Sequence, residues 1–225
     1  MLLKTEKLTK RYRRSSGEVF AAADAVEIGL EEGKTTGLLG KSGSGKSTVG
    51  QMIAGLVKPS EGKIFYQGQE LVYPYKGTAR RKIQILFQHP EVSFNPALPL
   101  IRSMCEPYKL LKKPAGEEEI LKDIEKFGLH REHLHRTPGE LSGGELQRAA
   151  LSRILVMEPE VIVLDEPTSM LDVVSQAQIV DYLMKYQKEH GTAYLFITHH
   201  RMLAQQVCQE IYEIEEGRAR RVTLA

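Results

Sequence analysis

The stretch TTGLLGKSGSGKSTVGQM, Thr35 to Met52, constrains the fold more than any other in the chain. A short apolar run ends in glycine, a string of glycine, serine and lysine follows, and a helix-forming segment then begins. Residues of such conformational freedom between a buried strand and a helix imply a tight turn with the backbone drawn inward. The spacing G-x-x-x-x-G-K-[ST] is met by Gly40, Gly45, Lys46 and Ser47. Successive N–H groups of such a turn converge on one concave spot, to which the following helix adds its positive end. The candidate phosphate cradle is therefore Gly40, Lys41, Ser42, Gly43, Ser44, Gly45, Lys46, Ser47 and Thr48. In it Lys46 reaches the β- and γ-phosphates and the Ser47 hydroxyl holds Mg²⁺. The pattern arises by residue frequency in on the order of one in a hundred chains this long. The flanking strand and helix thus carry the reading, and it specifies no more than a nucleoside triphosphate.

Short apolar runs alternate with helical segments along the rest of the chain. DAVEIGL (Val26, Ile28, Leu30) alternates as a half-buried strand, TTGLLG is a buried strand, and KSTVGQMIAGL is a helix ending near Lys58-Pro59. KIQILFQ, VIVLDEP and AYLFITHH predict further strands, and SQAQIVDYLMKYQ a helix with Ile179, Tyr182, Leu183 and Tyr186 on one face. Such alternation predicts an α/β fold with a mostly parallel sheet covered on both sides. From His89 the character changes. Prolines 90, 96, 99, 107 and 114 precede charged helical segments such as GEEEILKDIEKFGL. These predict one domain over 1–225, with a core in 1–88 and 151–225 and an inserted helical subdomain in 89–150.

The net charge of +2 does not call for a nucleic-acid partner, and Cys105 and Cys208 lack both metal-ligand spacing and the numbers for a disulfide framework. A reducing cytosol is expected. No apolar run nears the roughly 18–20 residues that span a bilayer. The N-terminal MLLKTEKLTK has too short an apolar core for a signal peptide. Any membrane span in the working complex is expected from another chain.

Two carboxylates close the apolar run VIVLDEP. Asp165 is placed at the carboxyl end of a strand, where open α/β sheets bind ligands, and is a candidate for the Mg²⁺ shell, through water. Glu166 is the candidate general base for an attacking water. A second helix start lies in ELSGGELQRAALSRIL, where Ser142, Gly143 and Gly144 precede an apolar face of Leu146, Ala149, Ala150 and Ile154. Ser-Gly-Gly is an ordinary cap for any helix. It is also a second set of N–H groups able to meet a phosphate.

With LSGGELQR in hand, the chain resembles the nucleotide-binding subunit of ATP-binding cassette (ABC) transporters, over nearly its whole length and with the motifs in family order. The resemblance implies a P-loop NTPase (RecA-like) core, an N-terminal antiparallel β subdomain and an inserted helical one. It implies that two subunits pair head to tail, each ATP lying between one cradle and the partner's signature residues Ser142, Gly143, Gly144 and Glu145. It gives Tyr12 the adenine stack, Gln88 a contact to Mg²⁺, SMLD (Ser169 to Asp172) the interface-crossing loop, and His199 the γ-phosphate contact. Lys46, Glu166 and His199 then form the catalytic set, ATP and Mg²⁺ the cofactors, and Ser47, Gln88 and Asp165 the metal donors. Two residues depart from the family: Met170 replaces a usual alanine and His200 a usual aspartate. Neither removes a group that does chemistry.

The segment FQHPEVSFNPALPLIRSMCEPYKLL resembles ATPases of dipeptide, oligopeptide and nickel importers. Peptides or a metal chelate are the implied cargo, with integral membrane permeases, a second cassette (same chain or paralogue) and a solute-binding protein as partners. The implied location is the cytoplasmic face of the membrane. A non-transport relative acting on nucleic acid or ribosomes is the alternative. It is disfavoured because the chain carries no coiled-coil heptads, no zinc set and only one cassette. A small-molecule kinase has no use for LSGGE.

Overall fold

The computed structural model describes residues 1–222; residues 223–225, within the expected domain, lie outside the described residues. Contacts divide the chain into two units, one of residues 1–85, 160–166 and 184 onward, the other of residues 86–159 and 167–183.

The first unit opens with β1 (Leu3–Arg13), β2 (Val19–Val26) and β3 (Gly29–Leu30), followed by β4 (Thr35–Leu39) and α1 (Lys46–Ile53). Next come β5 (Glu61–Tyr66), β6 (Gln69–Glu70), the short α2 (Gly77–Lys82) and β7 (Ile83–Leu86). β1 pairs antiparallel with β2, β3 and β5, and β5 with β6, which makes the antiparallel subdomain expected at the N-terminus.

The second unit holds α3 (Leu100–Leu110), α4 (Glu117–Glu125), α5 (Arg131–His135) and α6 (Gly143–Leu155). In α6 the predicted apolar face is buried, with Leu146, Ala149, Ala150 and Ile154 each below 10% exposed.

The chain returns to the first unit with β8 (Val161–Asp165). A long helix α7 (Val173–His190), of which residues 173–183 belong to the second unit and 184–190 to the first, then leads to β9 (Ala193–Thr198), α8 (Arg201–Val207), β10 (Glu210–Glu215) and β11 (Arg218–Val222), all in the first. The second sheet runs β11-β10-β4-β9-β8-β7. Its inner strands β10, β4, β9 and β8 are mutually parallel, and β11 is antiparallel to β10. β4, β8 and β9 are buried along their whole length, as strands covered on both faces must be. Each fully buried Val, Leu or Ile contributes about 1.5–3 kcal/mol. Val161, Val163, Leu195 and Ile197 join Val49, Met52 and Ile53 of α1 in one core, which fixes α1 against the sheet.

Two sequence expectations shift. DAVEIGL is not one strand: β2 ends at Val26 and β3 begins at Gly29, although Val26, Ile28 and Leu30 are all buried as predicted. The helix expected to run to Lys58 stops at Ile53. Gly55 adopts φ 72° and the Leu56 N–H turns back to the Gln51 carbonyl, a glycine stop that ends the helix regardless of the apolar residues beyond it.

Candidate nucleotide site

Parallel pairing brings three strand ends to one edge of the sheet. Leu39 of β4 lies beside Thr198 of β9, and Asp165 of β8 beside Ile197. The cradle leaves β4, Glu166 follows β8, and His199 follows β9, so residues far apart in sequence emerge together where α/β sheets bind ligands.

The loop of residues 40–45 is shaped by Gly45, the N-cap of α1. Its φ of 104° is open to glycine, and an added Cβ would stand 1.9 Å from the Ala22 carbonyl oxygen. Strand β2 therefore backs the loop directly, and the Gly217 N–H donates to the Ser44 carbonyl at 3.2 Å. Among the described residues no side chain caps α1 and no acid sits in its first turn. The first N–H groups of a helix have no partner within it. Here they are left to whatever enters the loop.

Lys46 is 5% exposed, and its Nζ donates to the carbonyls of Gly40 and Lys41, both at 2.8 Å. An ammonium carries three donors, so one remains for a ligand while the other two hold the loop. Desolvation by burial lowers the Lys46 pKa, opposed by the nearby charges of Glu166 and Asp165. A site that desolvates a cation between carboxylates is suited to a polyanion, whose arrival restores the balance.

Asp165 is 3% exposed at the end of β8. Glu166 takes φ 47°, a left-handed conformation that costs a non-glycine residue about 1–3 kcal/mol and clusters at functional positions. Its N–H donates to the Ile197 carbonyl at 3.0 Å, which anchors the strained turn to β9. Its Oε1 meets His199 Nδ1 at 3.2 Å. The oxygen donors Ser47 and Asp165 suit Mg²⁺, which takes few protein carboxylates and keeps water and phosphate oxygens for its other positions. No cluster of three or more His, Cys, Asp or Glu side chains fit to hold a metal occurs among the described residues.

Tyr12, on β1, is 36% exposed and pairs across the hairpin with Phe20 of β2, ring centroids 6.0 Å apart. Lys10 Nζ stands 5.2 Å over the Tyr12 ring. The sequence analysis names Tyr12 and not its cross-strand neighbour Phe20. The signal was available in the hairpin register, since SSG marks the turn and sets the two aromatics opposite each other.

Gln88, Ser142, Gly143, Gly144, Glu145 and Met170 belong to the second unit. Gln88 is half-buried in the bend just after β7. Ser142 caps α6 through a reciprocal pair: its Oγ accepts the Glu145 N–H at 3.2 Å, and the Glu145 carboxylate accepts the Ser142 N–H at 2.7 Å. Two of the groups expected to be free at this tip are thus engaged within it. The N–H groups of Gly143 and Gly144, first in the helix, remain the donors there. Met170, 42% exposed, lies beside Gly143: a Cβ added there would sit 3.6–3.8 Å from its side chain. His200, in the first unit, precedes α8, and its ring lies 4.4 Å from that of His199.

Residues 23–169 match the family model described as "ABC transporter". A dipeptide transport ATP-binding protein (DppF) of Escherichia coli is 37% identical over 96% of this chain and 68% of its own length. A nickel import ATP-binding protein (NikE) of Pseudomonas putida is 38% identical over 87% of this chain and 74% of its own. Among solved structures, the ATP-binding cassette MJ0796, dimeric in a post-hydrolysis state with ADP and Pi, superposes with a TM-score of 0.85 at 28% identity, covering 99% of both chains.

Proposed function

The chain belongs to the ABC transporter family and is an ATPase subunit of it; from that premise we propose that it hydrolyses ATP to drive an importer of peptides or of nickel or another metal chelate. The cargo reading draws on relatives named for dipeptide, oligopeptide and nickel transport. One observation carries the chemistry: Lys46, Asp165, Glu166 and His199 converge on the carboxyl edge of one sheet, the lysine within the field of both acids and the histidine bonded to one of them.

In this reading the triphosphate enters the loop at α1, where the free N–H groups and the third Lys46 donor bind its β- and γ-phosphates. Tyr12, with Phe20 beside it, stacks on the base. Mg²⁺ is held by Ser47 and Asp165, with Gln88 assigned on the family resemblance alone, and supplies charge neutralisation at the phosphate oxygens. Glu166 accepts a proton from the attacking water. His199 first holds that carboxylate through Nδ1, and Nε2 is the ring edge left for the γ-phosphate. Two cassettes share each nucleotide, the partner's α6 tip completing the γ-phosphate shell, so that ATP joins the pair and hydrolysis releases it. No helix among the described residues is long and apolar enough to cross a membrane. The reading therefore adds separate permease subunits, peripheral association at the cytoplasmic face and, upstream of them, a solute-binding protein.

Glu166→Gln tests the assignment. Turnover is expected to fall by roughly 10²–10⁴-fold, the usual contribution of a positioned base, with ATP affinity retained and a longer-lived ATP-bound dimer on size-exclusion chromatography. Hydrolysis at the parent rate would remove Glu166 from its role.

A further inference from the structure

The tip of α6 presents a difficulty for a nucleotide shared between cassettes. Glu145 puts a carboxylate in the first turn of that helix, the end that the shared-nucleotide reading sets against a partner's γ-phosphate. Like charges at such range repel, so the carboxylate must be directed elsewhere. We propose that His133 is the positioning residue that does this, by holding the Glu145 carboxylate against the α6 backbone so that the tip offers donors rather than charge. The inference rests on the shared-nucleotide reading above.

His133 belongs to α5, is 6% exposed, and has both ring nitrogens committed. Nδ1 lies 2.9 Å from the His130 N–H nitrogen and 3.1 Å from the His130 carbonyl oxygen, so this edge of the ring is held by the α5 N-cap. Nε2 faces Glu145 Oε1 at 3.2 Å, and because an ionised carboxylate can only accept, Nε2–H is the donor of that bond. The other carboxylate oxygen, Oε2, accepts the Ser142 N–H at 2.7 Å. Each oxygen of Glu145 thus has its own donor, one from the backbone and one from a buried ring anchored at its other nitrogen to His130. Both are donors to a charged acceptor, the stronger class of hydrogen bond. The carboxylate's pKa is lowered, first by the Ser142 N–H and then, against the opposing effect of burial, by the Ser142 hydroxyl and His133. It stays ionised and stays turned inward. Without the imidazole, Oε1 loses its donor and the side chain is free to swing into the phosphate's path.

The test uses the Glu166→Gln protein, in which ATP-driven pairing accumulates, followed by analytical ultracentrifugation across a Mg-ATP titration. His133→Ala is expected to raise the ATP concentration for half-pairing about tenfold, the scale of one hydrogen bond to a charged group. A fluorescent ATP analogue should bind the single cassette as before, because the cradle is untouched. His133→Gln, whose side-chain N–H can take the place of Nε2–H, should restore pairing to within about twofold. In a Glu145→Ala background His133→Ala should add nothing, the signature of a residue acting through another. His133→Leu fills the same space without a donor and stands in should the alanine variant fail to fold. Unchanged pairing in the donor-less variants overturns the inference alone, as does a glutamine variant as weak as alanine with a parental melting temperature. No ATP-driven pairing in the parent overturns the shared-nucleotide reading, and this inference with it.

Discussion

At the start of α1 the N-cap is Gly45 in a left-handed conformation, with no capping side chain and no acid in the first turn. At the start of α6 the N-cap is Ser142, locked to Glu145 in a reciprocal pair. Both tips are glycine-bearing and both are assigned to phosphate, yet one is left open and the other is closed on itself. The difference follows from what each helix can rely on. α1 is seated on the sheet by Val49, Met52 and Ile53, so its end needs no local cap to stay in place. The uncapped N–H groups are then at a ligand's disposal. α6 carries its own cap, which takes two polar groups out of service but makes the tip a finished surface before any nucleotide comes.

Glycine substitutions break this comparison most sharply. At Gly45 a side chain meets both the positive φ and the Ala22 carbonyl at 1.9 Å. The loop must shift by about an ångström, and displacement on that scale costs roughly 10²-fold in rate. Gly45→Ala is expected to reduce ATP turnover by about that factor. At Gly143 the added Cβ finds its nearest neighbour, Met170, at 3.6 Å, an ordinary contact, and the backbone is helical. Gly143→Ala should fold as well as the parent or slightly better, alanine being favoured over glycine in a helix by up to about 1 kcal/mol. Steady-state ATPase rates and thermal melts of the two variants check the pair. Equal losses at both positions would mean the α6 tip is built as tightly as the cradle.

Ser142→Ala is the next step down. It removes the hydroxyl that accepts the Glu145 N–H and is expected to cost about 1 kcal/mol of stability, the usual loss of a serine cap. Chemical denaturation of the parent and variant measures it. The α1 tip has no counterpart to lose, so Ser47→Ala, within the first turn of α1, should leave stability nearly unchanged while weakening Mg²⁺-dependent nucleotide binding.

The open tip was legible in the sequence and the closed one only in part, for a physical reason. A cradle is made of consecutive residues, so Gly40 to Thr48 display it directly, and the acids Asp165 and Glu166 follow an apolar run whose burial is dictated by composition. The capping partner Glu145 stands three residues after Ser142, within reach of local pattern, since a serine followed three positions later by glutamate is a capping-box spacing. His133 is twelve residues from Glu145, and no local periodicity pairs a histidine of one short helix with the first turn of the next. Phe20 lay one hairpin away from Tyr12 and was recoverable. The early end of α1 at Gly55 follows from a glycine stop that apolar periodicity does not register. His133 and Phe20 are contacts between elements, and Gly55 is a stop signal that competes with a pattern.

The smallest effect expected concerns acid. The Glu145 carboxyl is held below its ordinary value of 4.5, chiefly by the Ser142 N–H. A carboxyl whose folded pKa is depressed stabilises the protein above the ordinary value, and the gain is lost as pH falls through 4.5 toward the lower folded value. Glu145→Gln keeps the shape and removes the titration. Its melting temperature is expected to lie slightly below the parent's at pH 7, by the worth of about 0.5 kcal/mol, toward the low end for a helix cap. That gap should narrow only below pH 4.5. The first turn of α1 has no acid and can contribute nothing of this kind. A gap that stays constant from pH 7 to pH 3 would show that Glu145 holds the α6 tip by shape alone, which would remove the charge from the account of why this tip is closed and the other open.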